Sequence, residues 1–141
     1  MEQEDKELLL KYLSARLQYG VRISVNDKIE TLQGINVLDD TAEYDIFLSS
    51  NIEEVKPYLF PLSSMTEEQE KEISKRYNYH NYYDGLCIEI TYHSEGYWDT
   101  DTSCNLQDYL WLEEFFNKNH FDYRGLIEKG LAKDATNLNV Y

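Results

Sequence analysis

At Gly20 the periodicity of the chain changes, and that change constrains the fold more than any other feature. Residues 3–19 read as an amphipathic helix. Leu9, Leu10, Leu13 and Leu17 share one face, with Lys6, Lys11 and Arg16 among the polar positions. Gly20 is a good stop, because a residue without Cβ enters the left-handed region at no steric cost. From Val21 the apolar spacing drops to two. Val21, Ile23 and Val25 alternate with Arg22 and Ser24, as in a half-buried strand. A helix followed by short alternating strands predicts an α+β fold.

The strands read as a small antiparallel meander. Asn26-Asp27 is turn chemistry, and 29–37 reads as a second strand with a bend or bulge at Gly34. Asp39-Asp40 turns the chain again. Tyr44, Ile46 and Leu48 then alternate with Glu43, Asp45 and Phe47 as a third strand, which Ser49-Ser50-Asn51 interrupts. Pro57 and Pro61 predict an irregular path over 52–62 with one short helical turn. Its apolar residues Val55, Tyr58, Leu59, Phe60 and Leu62 would cover one end of the sheet. An SH3-like barrel within 21–62 is compatible with this spacing.

The second half supplies two to three packed helices and a further strand. Thr66-Glu67-Glu68-Gln69 is a capping box, predicting a helix to about Tyr77 that is polar nearly all round except for Ile73. Leu86, Ile88, Ile90 and Tyr92 alternate as a fourth strand, and 93–105 reads as a loop. Asn105 can cap a last long helix over 106–118, with Leu106, Tyr109, Leu110, Leu112, Phe115 and Phe116 on its apolar face. Asp122 can cap a short helix ending near Gly130. No element is assigned to 131–141. The 141 residues fit one domain, with 1–62 and 63–141 in the same globule.

Composition excludes several function classes. No apolar run approaches the ~20 residues of a membrane span, and the acidic N-terminus does not suit a signal peptide. The expectation is a cytoplasmic protein with no membrane partner. Cys87 and Cys104 then read as free thiols. Thirteen basic against 27 acidic residues leave a net charge of −14, which argues against direct nucleic-acid binding. The same field favours a basic protein partner.

No catalytic or metal pattern emerges. Cys87 lies opposite the apolar face of its strand, and acidic surroundings would raise the pKa of Cys104 near His93. His80 and His120 have no companion nucleophile. Asp99-Thr100-Asp101-Thr102-Ser103 resembles the start of a calcium loop. That loop would need glycine at its sixth position and glutamate at its twelfth, where this chain has Cys104 and Leu110. Glycine patterns that cradle phosphate are absent. The reading is therefore a non-enzyme with no cofactor.

One window stands apart. From Tyr77 to Asn117 there is no Lys or Arg, while eight acids and 11 of the 20 aromatics fall there. Tyr92, Tyr109, Trp111, Phe115 and Phe116 sit in periodic elements and read as core. Tyr77, Tyr79, Tyr82, Tyr83, Tyr97 and Trp98 lie instead among small polar residues, where rigid rings with polar tips make contact surfaces. With Asp84, Glu95, Asp99 and Asp101 they form a candidate partner-binding face for an Arg- or Lys-rich protein. Two alternatives remain open at this point. One is a small-molecule binder stacking a nucleotide-like ligand, for which Arg16, Arg22, Arg76 and Arg124 are the available guanidiniums. The other is a carboxylate-based hydrolase.

Three stretches carry a resemblance. They are Leu8-Leu9-Leu10-Lys11-Tyr12-Leu13-Ser14-Ala15-Arg16-Leu17 with Tyr19-Gly20-Val21, Glu54-Val55-Lys56-Pro57-Tyr58-Leu59-Phe60-Pro61-Leu62-Ser63-Ser64-Met65-Thr66, and Asn119-His120-Phe121-Asp122-Tyr123-Arg124-Gly125-Leu126-Ile127-Glu128-Lys129-Gly130-Leu131-Ala132. Together the chain resembles a family of small uncharacterised proteins encoded by gut bacteria and their phages. Where that pattern has acidic-Ala-Pro, this chain has Asp134-Ala135-Thr136. The resemblance implies a phage-related setting, in which an acidic inhibitor of a nucleic-acid-handling host protein is the natural expectation. It implies no catalytic residue and leaves the oligomeric state open.

Overall fold

The helix encoded in residues 3–19 forms as α1, Gln3–Arg16, and tightens into a 3₁₀ turn at Leu17–Tyr19. Gly20 ends it in the left-handed conformation, at φ 66° and ψ 42°. The computed structural model describes residues 1–45, 48–73, 75, 90–93, 97–100 and 106–141, with 90–93, 97–100 and 106–109 described through their backbone. The fold is α+β. The chain gathers into two compact units, Met1–Phe60 with Arg124–Tyr141, and Pro61–Tyr123.

In the first unit, α1 buries Leu9, Tyr12, Leu13 and Arg16. The leucines follow the expected face, but Arg16 does not. Residues four apart share a helix face, so Arg16 falls behind Tyr12 and is only 1% exposed. Its guanidinium lies 4.9 Å from the centroid of the Tyr12 ring, and that of Arg124 lies 5.4 Å from it. Stacking on an aromatic ring eases the burial of a guanidinium.

The strand after Gly20 is β1, Arg22–Val25. It turns at Asn26 and Asp27, both at positive φ (49° and 62°), into β2, Lys28–Thr31. Val25 pairs with Lys28, so this is the two-residue hairpin that an Asn-Asp pair suits. The expected strand 29–37 is instead two strands. The chain leaves β2 at Leu32-Gln33 and enters β3, Gly34–Asn36, in a separate sheet. Leu32 is 2% exposed and its N–H donates to the Val21 carbonyl, so burying Leu32 bends the chain out of the first sheet.

The expected third strand also divides. β4, Thr41–Asp45, pairs antiparallel with β3 and with β5, Leu48–Asn51. Ser49-Ser50-Asn51 therefore belongs to a strand, and the register irregularity lies between Glu43 and Asp45. Ile46 and Phe47 lie outside the described residues. A 3₁₀ turn at Ile52–Glu54 leads to β6, Val55–Pro61. The two prolines do not prevent this strand. Pro57 gives the ladder no donor, and pairing with the next strand begins one residue later, at Tyr58. Pro61 stands at the strand's end.

Within this unit the first sheet runs β10-β6-β1-β2, where β10 is Lys133–Asp134. β10 lies parallel to β6, and the other neighbours are antiparallel. Among the described residues no ladder joins this sheet to β3-β4-β5. Leu9, Leu13, Val21, Ile23, Val25, Leu32, Ala42, Ile52 and Val55 make the common core. Each fully buried large aliphatic contributes about 1.5–3 kcal/mol. The unassigned tail is part of the same unit. Tyr58, Ala135 and Val140 pack together, and the Ala135 N–H donates to the Leu59 carbonyl at 2.8 Å. No helix follows Asp122. Residues 123–132 make turns, with Gly125 and Gly130 at positive φ.

The second unit opens with a 3₁₀ turn at Leu62–Ser64 and then a helix, α2, at 67–73. The capping box is formed: the Thr66 N–H donates to Gln69 Oε1 at 2.9 Å, and the Gln69 N–H donates to Thr66 Oγ1 at 3.2 Å. Ile73 is buried. Part of the expected loop 93–105 is a strand. β7, Ile90–His93, pairs antiparallel with β8, Tyr97–Thr100. The last helix is α3, Leu106–Lys118, within the predicted range. Leu112, Phe115 and Phe116 are buried, but Leu110 is 51% exposed, so the apolar face is narrower than expected. Phe116 lies in contact with Phe115, Tyr123 and, in the short strand β9, Phe121–Asp122, with Phe121.

Candidate interaction surface

Of the ten residues singled out from sequence, Tyr77, Tyr79, Tyr82, Tyr83, Asp84, Glu95 and Asp101 lie outside the described residues. Tyr97, Trp98 and Asp99 are consecutive on β8. Their register partners on β7 are His93 for Tyr97, Tyr92 for Trp98 and Thr91 for Asp99.

Charge is distributed unevenly. The second unit carries thirteen Asp and Glu against four cations, Lys71, Lys75, Arg76 and Lys118. The first unit carries fourteen acids against nine Lys and Arg. Several of those nine are engaged inside the unit. Lys129 meets Asp5 at 3.1 Å, Lys133 meets Asp27 at 3.7 Å, and Lys6 meets Asp40 at 3.0 Å and Glu53 at 3.8 Å. The hydrogen bond to Asp40, helped by the charges of Asp40 and Glu53 and opposed by desolvation, raises the Lys6 pKa.

Of the four guanidiniums, Arg76 lies outside the described residues and Arg124 is exposed. Arg16 is closed to solvent, and the Nη1 of Arg22 donates to Thr31 Oγ1. Arg16 and Arg124 come together on Tyr12, a juxtaposition that spacing in the sequence could not show, and it serves the packing of α1.

A second feature was not anticipated. The turn between β3 and β4 exposes Val37 and Leu38 beside Asp39, and Asp40 follows at φ 52°. The carboxylates of Asp39, Glu53 and Glu54 are also exposed. The readable signal was an aliphatic pair directly against an acidic turn. Reading Val37 as the end of a strand concealed it.

Among the described residues no group of three or more His, Cys, Asp or Glu can hold a metal ion. No helix of the described residues is long and apolar enough to cross a membrane. The fold and surface define an α+β protein with segregated negative charge. No family model, curated protein or solved structure matches the chain.

Proposed function

We propose that this chain is a non-enzymatic binding protein that docks an acidic surface on a basic, nucleic-acid-handling protein. Its carboxylates would stand where phosphates normally sit. The observation that carries this reading is the disposition of charge. Four of the nine cations of the first unit are buried or tied to carboxylates, while acids outnumber cations thirteen to four in the second. Such a field steers basic partners in and holds nucleic acid off. The stretch Tyr77 to Asn117, with its tyrosines, Trp98 and carboxylates, supplies the contact face in this reading. A phage-encoded inhibitor acting in the host cytoplasm fits both the charge and the resemblance noted in the sequence.

The test is a salt titration with the full chain. A basic host protein retained by the immobilised chain at low ionic strength should dissociate progressively as the Debye length shortens from about 30 Å to about 8 Å. It should also be displaced by duplex DNA. Binding indifferent to salt and to DNA overturns the proposal.

A further inference from the structure

The tip of the β3–β4 hairpin places two adjacent aliphatic side chains in water, Val37 at 67% exposure and Leu38 at 96%. Isolated exposed aliphatics are common and mean little. This pair differs in how firmly its backbone is held. Asn36 Oδ1 accepts from the N–H groups of Leu38 at 3.0 Å and Asp39 at 3.2 Å, and Asn36 Nδ2 donates to Asp39 Oδ2 at 2.8 Å. Behind the tip, the Asp40 carbonyl accepts from the Ile52 N–H at 2.9 Å, and the Asp40 carboxylate meets Lys6. The loop is therefore ordered before any partner arrives, and docking it costs little further entropy.

We infer that Val37 and Leu38 form an apolar anchor that seats in an apolar pocket of a protein partner rimmed by Lys and Arg. This rests on the binding reading above and adds to it a contact in the first unit. The choice of partner follows from charge. Asp39, Asp40 and Glu53 stand around or behind the tip, and Lys6 is the one cation joined to them among the described residues. Three carboxylates against one ammonium leave a negative rim. A second copy of this chain would bring the same excess against itself, and an anionic lipid surface would be repelled. A pocket with a basic rim meets both the aliphatic centre and the charged border, the arrangement of an interface hot spot.

The experiment uses the full chain with a photo-crosslinking Leu38→benzoylphenylalanine substitution, irradiated in lysate of the organism that encodes it. The same probe at Ile29, which is 44% exposed, gives the reference. A dominant adduct from position 38 to a basic protein, weaker from position 29, is expected. The V37S/L38S double variant should bind that protein about tenfold or more weakly while its thermal unfolding stays unchanged. Adducts only with a second copy, a lipid or an acidic protein, or no adduct at all, overturn the anchor. If the double variant binds the basic protein as tightly as the wild type, the anchor fails and the acidic docking reading stands. If the wild-type chain binds no basic protein, that reading fails as well.

Discussion

The hydroxyl of Tyr141 donates to the backbone carbonyl of Tyr58 at 2.7 Å, joining residues 83 positions apart. The same oxygen accepts from the Arg22 N–H at 3.1 Å, and the ring lies 5.8 Å from that of Phe60. One phenol thus bridges the tail to β6 and to the first residue of β1. Burial of this hydroxyl, opposed by the Arg22 N–H and by the Arg16 and Arg22 charges, pushes its pKa up to about 12.

Tyr141→Phe should lower stability by about 1 kcal/mol, since two backbone groups lose a partner. The pH dependence follows from the raised pKa. The folded state holds its proton while the unfolded chain loses its own near the ordinary value of 10, so the contribution is complete below pH 10 and disappears as pH rises to about 12. Tyr141 is 45% exposed, so screening reduces the alkaline loss to about 1 kcal/mol. Urea unfolding at pH 8 and pH 11.5 checks this: the variant should lose less between the two than the wild type.

Lys6→Gln should change stability little at neutral pH, because exposed ion pairs contribute little. The raised Lys6 pKa places its contribution below pH 10.5, to be lost above it as the folded state in turn gives up the proton. The difference between variant and wild type should shrink in about 1 M salt, where the Debye length is about 3 Å. A difference that salt leaves untouched would show that Lys6 acts through packing.

Gly20→Ala should cost about 1 kcal/mol. Nothing lies within 4 Å of an added Cβ, so the cost comes from the left-handed backbone alone. Urea titration should show a lower midpoint with an unchanged slope.

Thr66→Ala should cost about 1 kcal/mol by removing one arm of the capping box. Gln69→Ala removes the other. Because each side chain serves the other's N–H, the double variant should cost less than the two single losses added together. Strict additivity would mean that the two bonds act independently.

Local signals were the legible ones. The leucine spacing before Gly20, the Asn26-Asp27 turn, the Thr66–Gln69 box and the extent of α3 are each set over a few residues, and each formed where the sequence places it. Decisions made by distant partners were not legible. Leu32 leaves its strand for the core, Pro57 is accepted into β6 by the register of its neighbours, and the 131–141 tail is ordered by Tyr58 and Leu59. Arg16 looked like a surface cation because nothing local announces that Arg124 joins it on the Tyr12 ring. The charge imbalance of the candidate site was legible from composition. The ordered tip was not, because its rigidity depends on Asn36 folding back on Asp39 and on Lys6 reaching Asp40.

The first unit is assembled from two pieces of chain with Pro61–Tyr123 between them. During synthesis, the ladder positions at Tyr58 and Leu59 therefore wait for Lys133 and Asp134, which a ribosome reaches only after making the whole intervening segment. At about 5–20 residues per second that delay lasts several seconds. The newborn protein spends that interval with part of its sheet open, so chaperone capture or mispairing is most dangerous then, before Lys133 and Asp134 emerge.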